Sequence, residues 1–232
     1  MTIRRFLRWI PALILGTSAA QSPSTPPLSS KKVSDVSTLM VVLREMEGQN
    51  KKDDELQPVG KIRATIDGKE VEMNPAWFRL IGDMHIRFVY DEPATMLSLT
   101  EEELSALHLT PDQALEIAVQ NIKRTYGKPH YSLWANGLFV VEGGSADLDS
   151  GYFLDLEFWL GLLKEHPEGL IVGVPKRGGL LFVPASDVTA VENFRRGIAP
   201  LYKTSESMRV SSALYLFKDK HWSVFQDPEP TH

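Results

Sequence analysis

Three short stretches carry side chains with chemistry to offer. In YFLDLEFWLGLL, Asp155 and Glu157 lie inside a strongly apolar run. A carboxylate held against a low-dielectric wall has a raised pKa and can act as an acid or a base. The competing reading puts each on an exposed helical stripe, or in a pair with Lys164 or Arg177. In LIVGVPKRGGLLFVP (170–184), Arg177 offers a two-pronged fork for a carboxylate or phosphate. Lys176 adds charge beside it, and Gly178-Gly179 permit close backbone approach. The structural alternatives are a hairpin turn whose glycines supply positive φ, or a salt bridge from Arg177 to an acid such as Glu157. Phosphate loops run strand–loop–helix, whereas these glycines run into a second strand, so a hairpin is expected. Asn121 borders the apolar face of a helix, where it either positions a ligand or satisfies backbone groups near a strand end. Asp91 closes the strand in DMHIRFVYDEP. Arg177, Glu157, Asn121 and Asp91 are therefore the candidate binding residues. A ligand or enzyme reading requires that they surround one pocket.

The acidic loop GGSADLDSG (143–151) presents Asp147-x-Asp149. A calcium loop of the EF-hand kind needs an acid at its twelfth position, where Phe158 stands. Asp149 and Ser150 are read instead as caps for the following helix. The six histidines show no pair at ligand spacing, and no P-loop, dinucleotide glycine motif, His-Glu-x-x-His or Gly-x-Ser-x-Gly occurs. There is no cysteine, which excludes thiolate nucleophiles, disulfides and iron–sulfur clusters. No metal and no cofactor are expected.

The elements that must hold these residues are readable from periodicity. A helix is predicted over 34–47, with Val36, Leu39, Met40, Leu43 and Met46 on one face. Ile62–Ile66 and the run through Met73 form a hairpin across Asp67-Gly68, and Met84–Tyr90 alternates as a strand ended by Asp91-Glu92-Pro93. Thr100 with Glu103, and Thr110 with Gln113, are capping boxes that open two helices. Tyr131–Ala135 and Leu138–Glu142 form a hairpin across Asn136-Gly137. A helix over Leu148–Glu165, the 170–184 hairpin, a helix from Asp187 to about Ile198, and a hairpin from Val210 to Phe225 complete the chain. The class is α+β: an antiparallel sheet built largely from hairpins with helices packed against it.

With 232 residues, 43% hydrophobic and 24% charged, the chain is of single-domain size. The start, MTIRRFLRWIPALILGTSAAQ, joins three arginines, a short apolar run and small residues at Ser18-Ala19-Ala20, as an export signal does. The apolar run is too short for a span, so no stable membrane span is expected after cleavage. Cleavage after Ala20 removes three arginines and no acid, taking the net charge of −5 to −8. Such a charge argues against nucleic acid as a partner. Residues 21–33 are a Ser/Pro-rich linker, 34–227 the domain and 228–232 a polar tail. The expected location is periplasmic or secreted.

The order of landmarks resembles the YtpQ-like family, an uncharacterised bacterial domain of unknown function. DMHIRFVYDEP followed by LTPDQALEIAVQNIKRTYG resembles its strand and its helix with an Asn-hydrophobic pair. YFLDLEFWLGLL resembles its apolar helix with an acid shortly before Trp. LIVGVPKRGGLLFVP resembles its val-Pro-x-Arg hairpin, which is followed by a helix and a hairpin with a late Trp. The likeness runs over about residues 60–226 and departs at Gly178, where the family pattern usually has Asp. The resemblance implies no established activity. The expected function is a non-catalytic binding or interaction module with a protein or small-molecule partner. The alternatives are a hydrolase using Asp155 and Glu157 with Arg177, and a structural envelope protein.

Overall fold

Hairpin chemistry sets most of the architecture. The computed structural model describes residues 35–66, 68–92 and 95–230. The predicted export signal and linker, 1–33, lie outside the described residues. The first seven strands are β1 (Leu39–Glu45), β2 (Gln57–Pro58), β3 (Ile62–Ile66), β4 (Lys69–Met73), β5 (Trp77–Arg79), β6 (Met84–Glu92) and β7 (Thr95–Ser98). Helices α1 (Glu101–Ala106) and α2 (Pro111–Tyr126) follow, then strands β8 (His130–Ala135) and β9 (Leu138–Glu142). Helix α3 (Leu156–Glu165), strands β10 (Leu170–Lys176) and β11 (Gly179–Pro184), helix α4 (Val188–Lys203), and strands β12 (Leu214–Lys218) and β13 (His221–Gln226) complete the order.

A six-stranded antiparallel sheet runs β13-β12-β10-β11-β9-β8. A second sheet runs β1-β6-β5-β2, with β7 also paired to β6, and β3-β4 form a separate ribbon. The fold is α+β. The Asn136-Gly137 turn takes positive φ at both residues, as a type I′ hairpin requires. Both capping boxes form, at Thr100–Glu103 and Thr110–Gln113. No helix among the described residues is long and apolar enough to cross a membrane.

Strands β10 and β11 are buried on both faces. Leu170, Val172 and Phe182 join the main core with Leu43, Phe88, Ile122 and Trp159. Their alternating neighbours Ile171, Leu181 and Val183 face a smaller core under Phe194 and Ile198 of α4. Two buried faces remove the alternation and leave continuous apolar runs in the sequence. Gly173 makes room for the helix, because a Cβ there would stand 2.7 Å from Phe194.

The same physics overturns one prediction. Residues 35–47 of the helix predicted over 34–47 do not form one. A single 3-10 turn at Val36–Thr38 leads into β1, which pairs with β6 from Leu39↔Tyr90 to Glu45↔Met84. Leu39 to Leu43 are all buried. A run buried on both faces has no period, and its apolar spacing fits a helix by coincidence. The β-branched pair Val41-Val42 was the contrary signal.

Two further corrections bear on the site. The predicted helix 148–165 is broken into a 3-10 turn at Asp149–Leu154 and α3. Asp155 caps α3 by accepting from the Phe158 amide, whereas Asp149 accepts from the Gly143 amide. Strand β6 runs to Glu92, within the expected Asp91-Glu92-Pro93 end, and its last residues pair with β7. The tail is tied in part, since the Glu229 amide donates to Ser212 Oγ at 2.9 Å.

Candidate functional site

The four candidate residues separate into four environments. Asn121 is buried on α2 and donates from Nδ2 to the carbonyls of Val36 and Leu39, both at 2.8 Å. It ties the helix to the entry of β1, which is a structural task. Asp91 accepts from the Tyr126 hydroxyl. Glu157 is exposed and meets Lys123 Nζ at 2.7 Å, rather than Lys164 or Arg177. The same Lys123 stands 3.1 Å from the buried Asp155 carboxylate. Burial opposes the charge on Lys123, but bonds from Glu157 and Asp155 outweigh it and raise its pKa. These three line an open cleft of about 300 Å³ with Tyr131 and Phe158. Arg177 is not among its lining residues. The expected convergence of Asp155 and Glu157 with Arg177 does not occur.

Arg177 belongs to a different constellation. It sits at the tip of the β10–β11 hairpin, where Lys176 pairs with Gly179. Neither Gly178 nor Gly179 takes a left-handed φ, contrary to the expectation. Gly178 is required for another reason: a Cβ there would lie 2.3 Å from the Ala146 carbonyl oxygen. The loop 143–149 presses on the tip at this point. The Arg177 amide donates to the Met208 carbonyl at 3.0 Å, and its carbonyl accepts from the Ser150 amide at 2.9 Å. The backbone is therefore held from both sides, and one guanidinium nitrogen donates to the Ser207 carbonyl at 3.2 Å.

Strands β1, β5 and β6 present the other half of the seam. Cross-strand register places Arg44 opposite His85, Trp77 opposite Arg87, and Arg79 opposite His85. Directly paired residues share a face, and so do residues two apart on one strand. Arg44, Trp77, Arg79, His85 and Arg87 thus occupy one face of the second sheet. The Arg87 guanidinium lies over the Trp77 ring, 3.8 Å from its centroid. Its Nε donates to His85 Nε2 at 2.8 Å.

The electrostatics join these residues to Arg177. Burial, then repulsion from Arg177 and Arg87, pushes Arg44 down to about 10, with Asp147 the opposing influence. Burial and then Arg177 lower Arg87. Burial, then Arg87 and Arg44, push His85 down to about 3, against the weaker pull of the Glu45 and Arg44 carbonyls. Three half-buried guanidinium groups therefore repel one another. None takes part in an ion pair among the described residues. Among the described residues, exposed Asp147 is the carboxylate that acts on them, favouring the charge on Arg44.

Several donors in this seam are unspent. Arg177 Nε and Trp77 Nε1 are buried atoms with no hydrogen-bond partner, and His85 Nδ1 has only the Glu45 and Arg44 carbonyls nearby, short of hydrogen-bond geometry. A buried donor left unmade costs about 1–3 kcal/mol, and native proteins leave few of them. Here three lie among residues that already carry excess positive charge. Excess cation and unspent donors are together what an oxyanion requires.

Sequence reasoning reached Arg177 but missed Arg44, Arg87, His85 and Trp77. The alternation of Met84–Tyr90 already placed His85 and Arg87 on a common face. Arg44 escapes notice because the apolar spacing of its segment predicts a helix.

No family model, curated protein or solved structure matches the chain.

Proposed function

We propose that this domain is an exported, YtpQ-like binding module without catalysis of its own, and that its ligand is anionic. The observation that supports it is the seam of Arg44, Arg87 and Arg177, which lacks paired carboxylates and holds three unspent donors. Like charges are held together at a cost in stability unless a counter-charge meets them. Clamping of the Arg177 backbone by Met208 and Ser150 pre-organises the site, which lowers the ordering cost of binding. Export rests on the arginine-rich start and the small residues before Gln21.

Isothermal titration calorimetry with sulfate tests the binding reading. A saturable heat is expected, and Arg177→Met should abolish it while the folded fraction stays constant by circular dichroism. Absence of saturable binding of any oxyanion by the unaltered protein overturns the reading. Mass spectrometry of the envelope form checks export, with an expected N-terminus at Gln21.

A further inference from the structure

We infer that the arginine seam takes a tetrahedral phosphate dianion, free or as a monoester, in preference to a carboxylate; this rests on the anion-binding reading above. Three observations carry it.

The first is charge. Arg44 on β1 and Arg87 on β6 share a sheet face with exposed Arg79 on β5, and Arg177 on the hairpin is near enough to repel Arg44 and Arg87. Against them stands Asp147 from the 143–149 loop. One carboxylate leaves a surplus of at least two positive charges. A monoanion would leave part of that surplus unpaired in a half-buried site, whereas a dianion cancels it.

The second is the number and direction of donors. The guanidinium groups come from two sides of the seam, the sheet face and the hairpin tip. His85 Nδ1 and Trp77 Nε1 add two ring donors from the sheet face, and Nε of the Arg177 guanidinium is itself unspent. A planar carboxylate presents two oxygens in one plane. A phosphate presents three or four in a tetrahedron and can accept from donors on both walls.

The third is constancy of the protein's own charge. His85 accepts from Arg87 through Nε2, so it must be neutral there and carry its proton on Nδ1. Its pKa is held near 3, well below the working range. The other groups facing the site are arginines and Asp147, and histidine is the side-chain type that ordinarily changes charge between pH 5 and 8. Any pH dependence of binding in that window then comes from the ligand. A phosphate monoester gains its second charge with a pKa of about 6, whereas sulfate is dianionic throughout.

Calorimetric titration of the folded domain with methyl phosphate, inorganic phosphate, sulfate and acetate at pH 5.0 and 7.5 tests this. Affinity for methyl phosphate should rise about tenfold between the two pH values, following the dianion fraction. Sulfate affinity should stay constant, and acetate should bind at least tenfold more weakly than sulfate. Equal affinity for methyl and inorganic phosphate identifies an ester-tolerant site, and binding of inorganic phosphate alone identifies free phosphate as the ligand; both support the inference. Acetate binding as tightly as sulfate, or methyl phosphate binding that is flat with pH, overturns the inference while leaving an anion site in place. Binding of none of the four sinks the site altogether. The pH profile of the unaltered protein needs no variant to fold, and Arg177→Met and Arg87→Met should each weaken methyl phosphate at least tenfold.

Discussion

Arg87 donates its Nε hydrogen to Nε2 of His85 at 2.8 Å, which fixes the histidine as a neutral ring protonated on Nδ1. The two residues sit two apart on β6, so the strand period places both on the cationic face. The histidine orients the guanidinium, and burial, with the guanidinium beside it, keeps the histidine from charging.

That relationship predicts a spectroscopic result. Long-range proton–nitrogen correlation spectra should show the His85 ring with Nδ1 protonated and Nε2 bare. The signals should not titrate between pH 8 and 5. Arg87→Met should release the ring, and its pKa should move upward toward 6.5. A native ring protonated on Nε2 would contradict the assigned donor and acceptor.

Two buried groups give the stability opposite dependences on pH. Asp83 accepts from Ser211 Oγ and the Tyr215 hydroxyl, and burial pushes it up to about 6. The folded state therefore holds more protons at Asp83 than the unfolded state between about pH 4 and 6, so its contribution falls as pH rises through that window. His85 is depressed, so the unfolded state binds the extra proton between about pH 3 and 6.5, and stability falls on acidification. Asp83→Asn keeps an acceptor for both hydroxyls and removes the first effect. Urea unfolding at pH 4 to 7 should show the variant gaining at pH 7 relative to the parent, by at most about 3 kcal/mol. It should lose stability more steeply toward pH 4. Parallel curves would show that Asp83 does not titrate in this range.

Gly178 and Gly179 should answer alanine differently. A methyl group at Gly178 meets the Ala146 backbone carbonyl at 2.3 Å, whereas one at Gly179 meets the exposed Lys176 side chain. The backbone cannot yield as a lysine chain can. Gly178→Ala should cost about 1–3 kcal/mol and displace the 143–149 loop from the hairpin tip. Gly179→Ala should cost less. Urea midpoints measure the first effect, and amide exchange at Ser150, which bonds Arg177, measures the second.

Lys123 carries two carboxylates of unequal weight. Asp155 is buried and Glu157 is exposed. Lys123→Met leaves a buried carboxylate unpaired and should cost about 3 kcal/mol, the lower end for a broken buried pair. Glu157→Gln should leave the urea midpoint unchanged, because solvent screens its half of the bridge. A large effect from Glu157→Gln would show that the outer carboxylate matters more than its exposure implies.

Local patterns in the sequence determine much of this protein. Asn136-Gly137 makes its turn from its own φ preferences, and Thr100 and Thr110 close their capping boxes within four residues. The hairpin at 170–184 is likewise written in two apolar runs and a short break. Such features need nothing distant, and they establish the α+β class. Tertiary structure decides the rest. Leu39–Leu43 becomes a strand because β6 is beside it to pair with and both its faces are covered. Asp155, rather than Asp149, caps α3 because the loop amide of Gly143 claims Asp149. The candidate site is assembled the same way. Arg44, Arg87 and Arg177 are separated by many residues, and no local spacing relates them. Cross-strand register brings the first two together, and the press of Ala146 on Gly178 fixes the hairpin tip that carries the third. Long-range pairing depends on which surfaces bury one another, and that is a property of the whole chain rather than of any window within it.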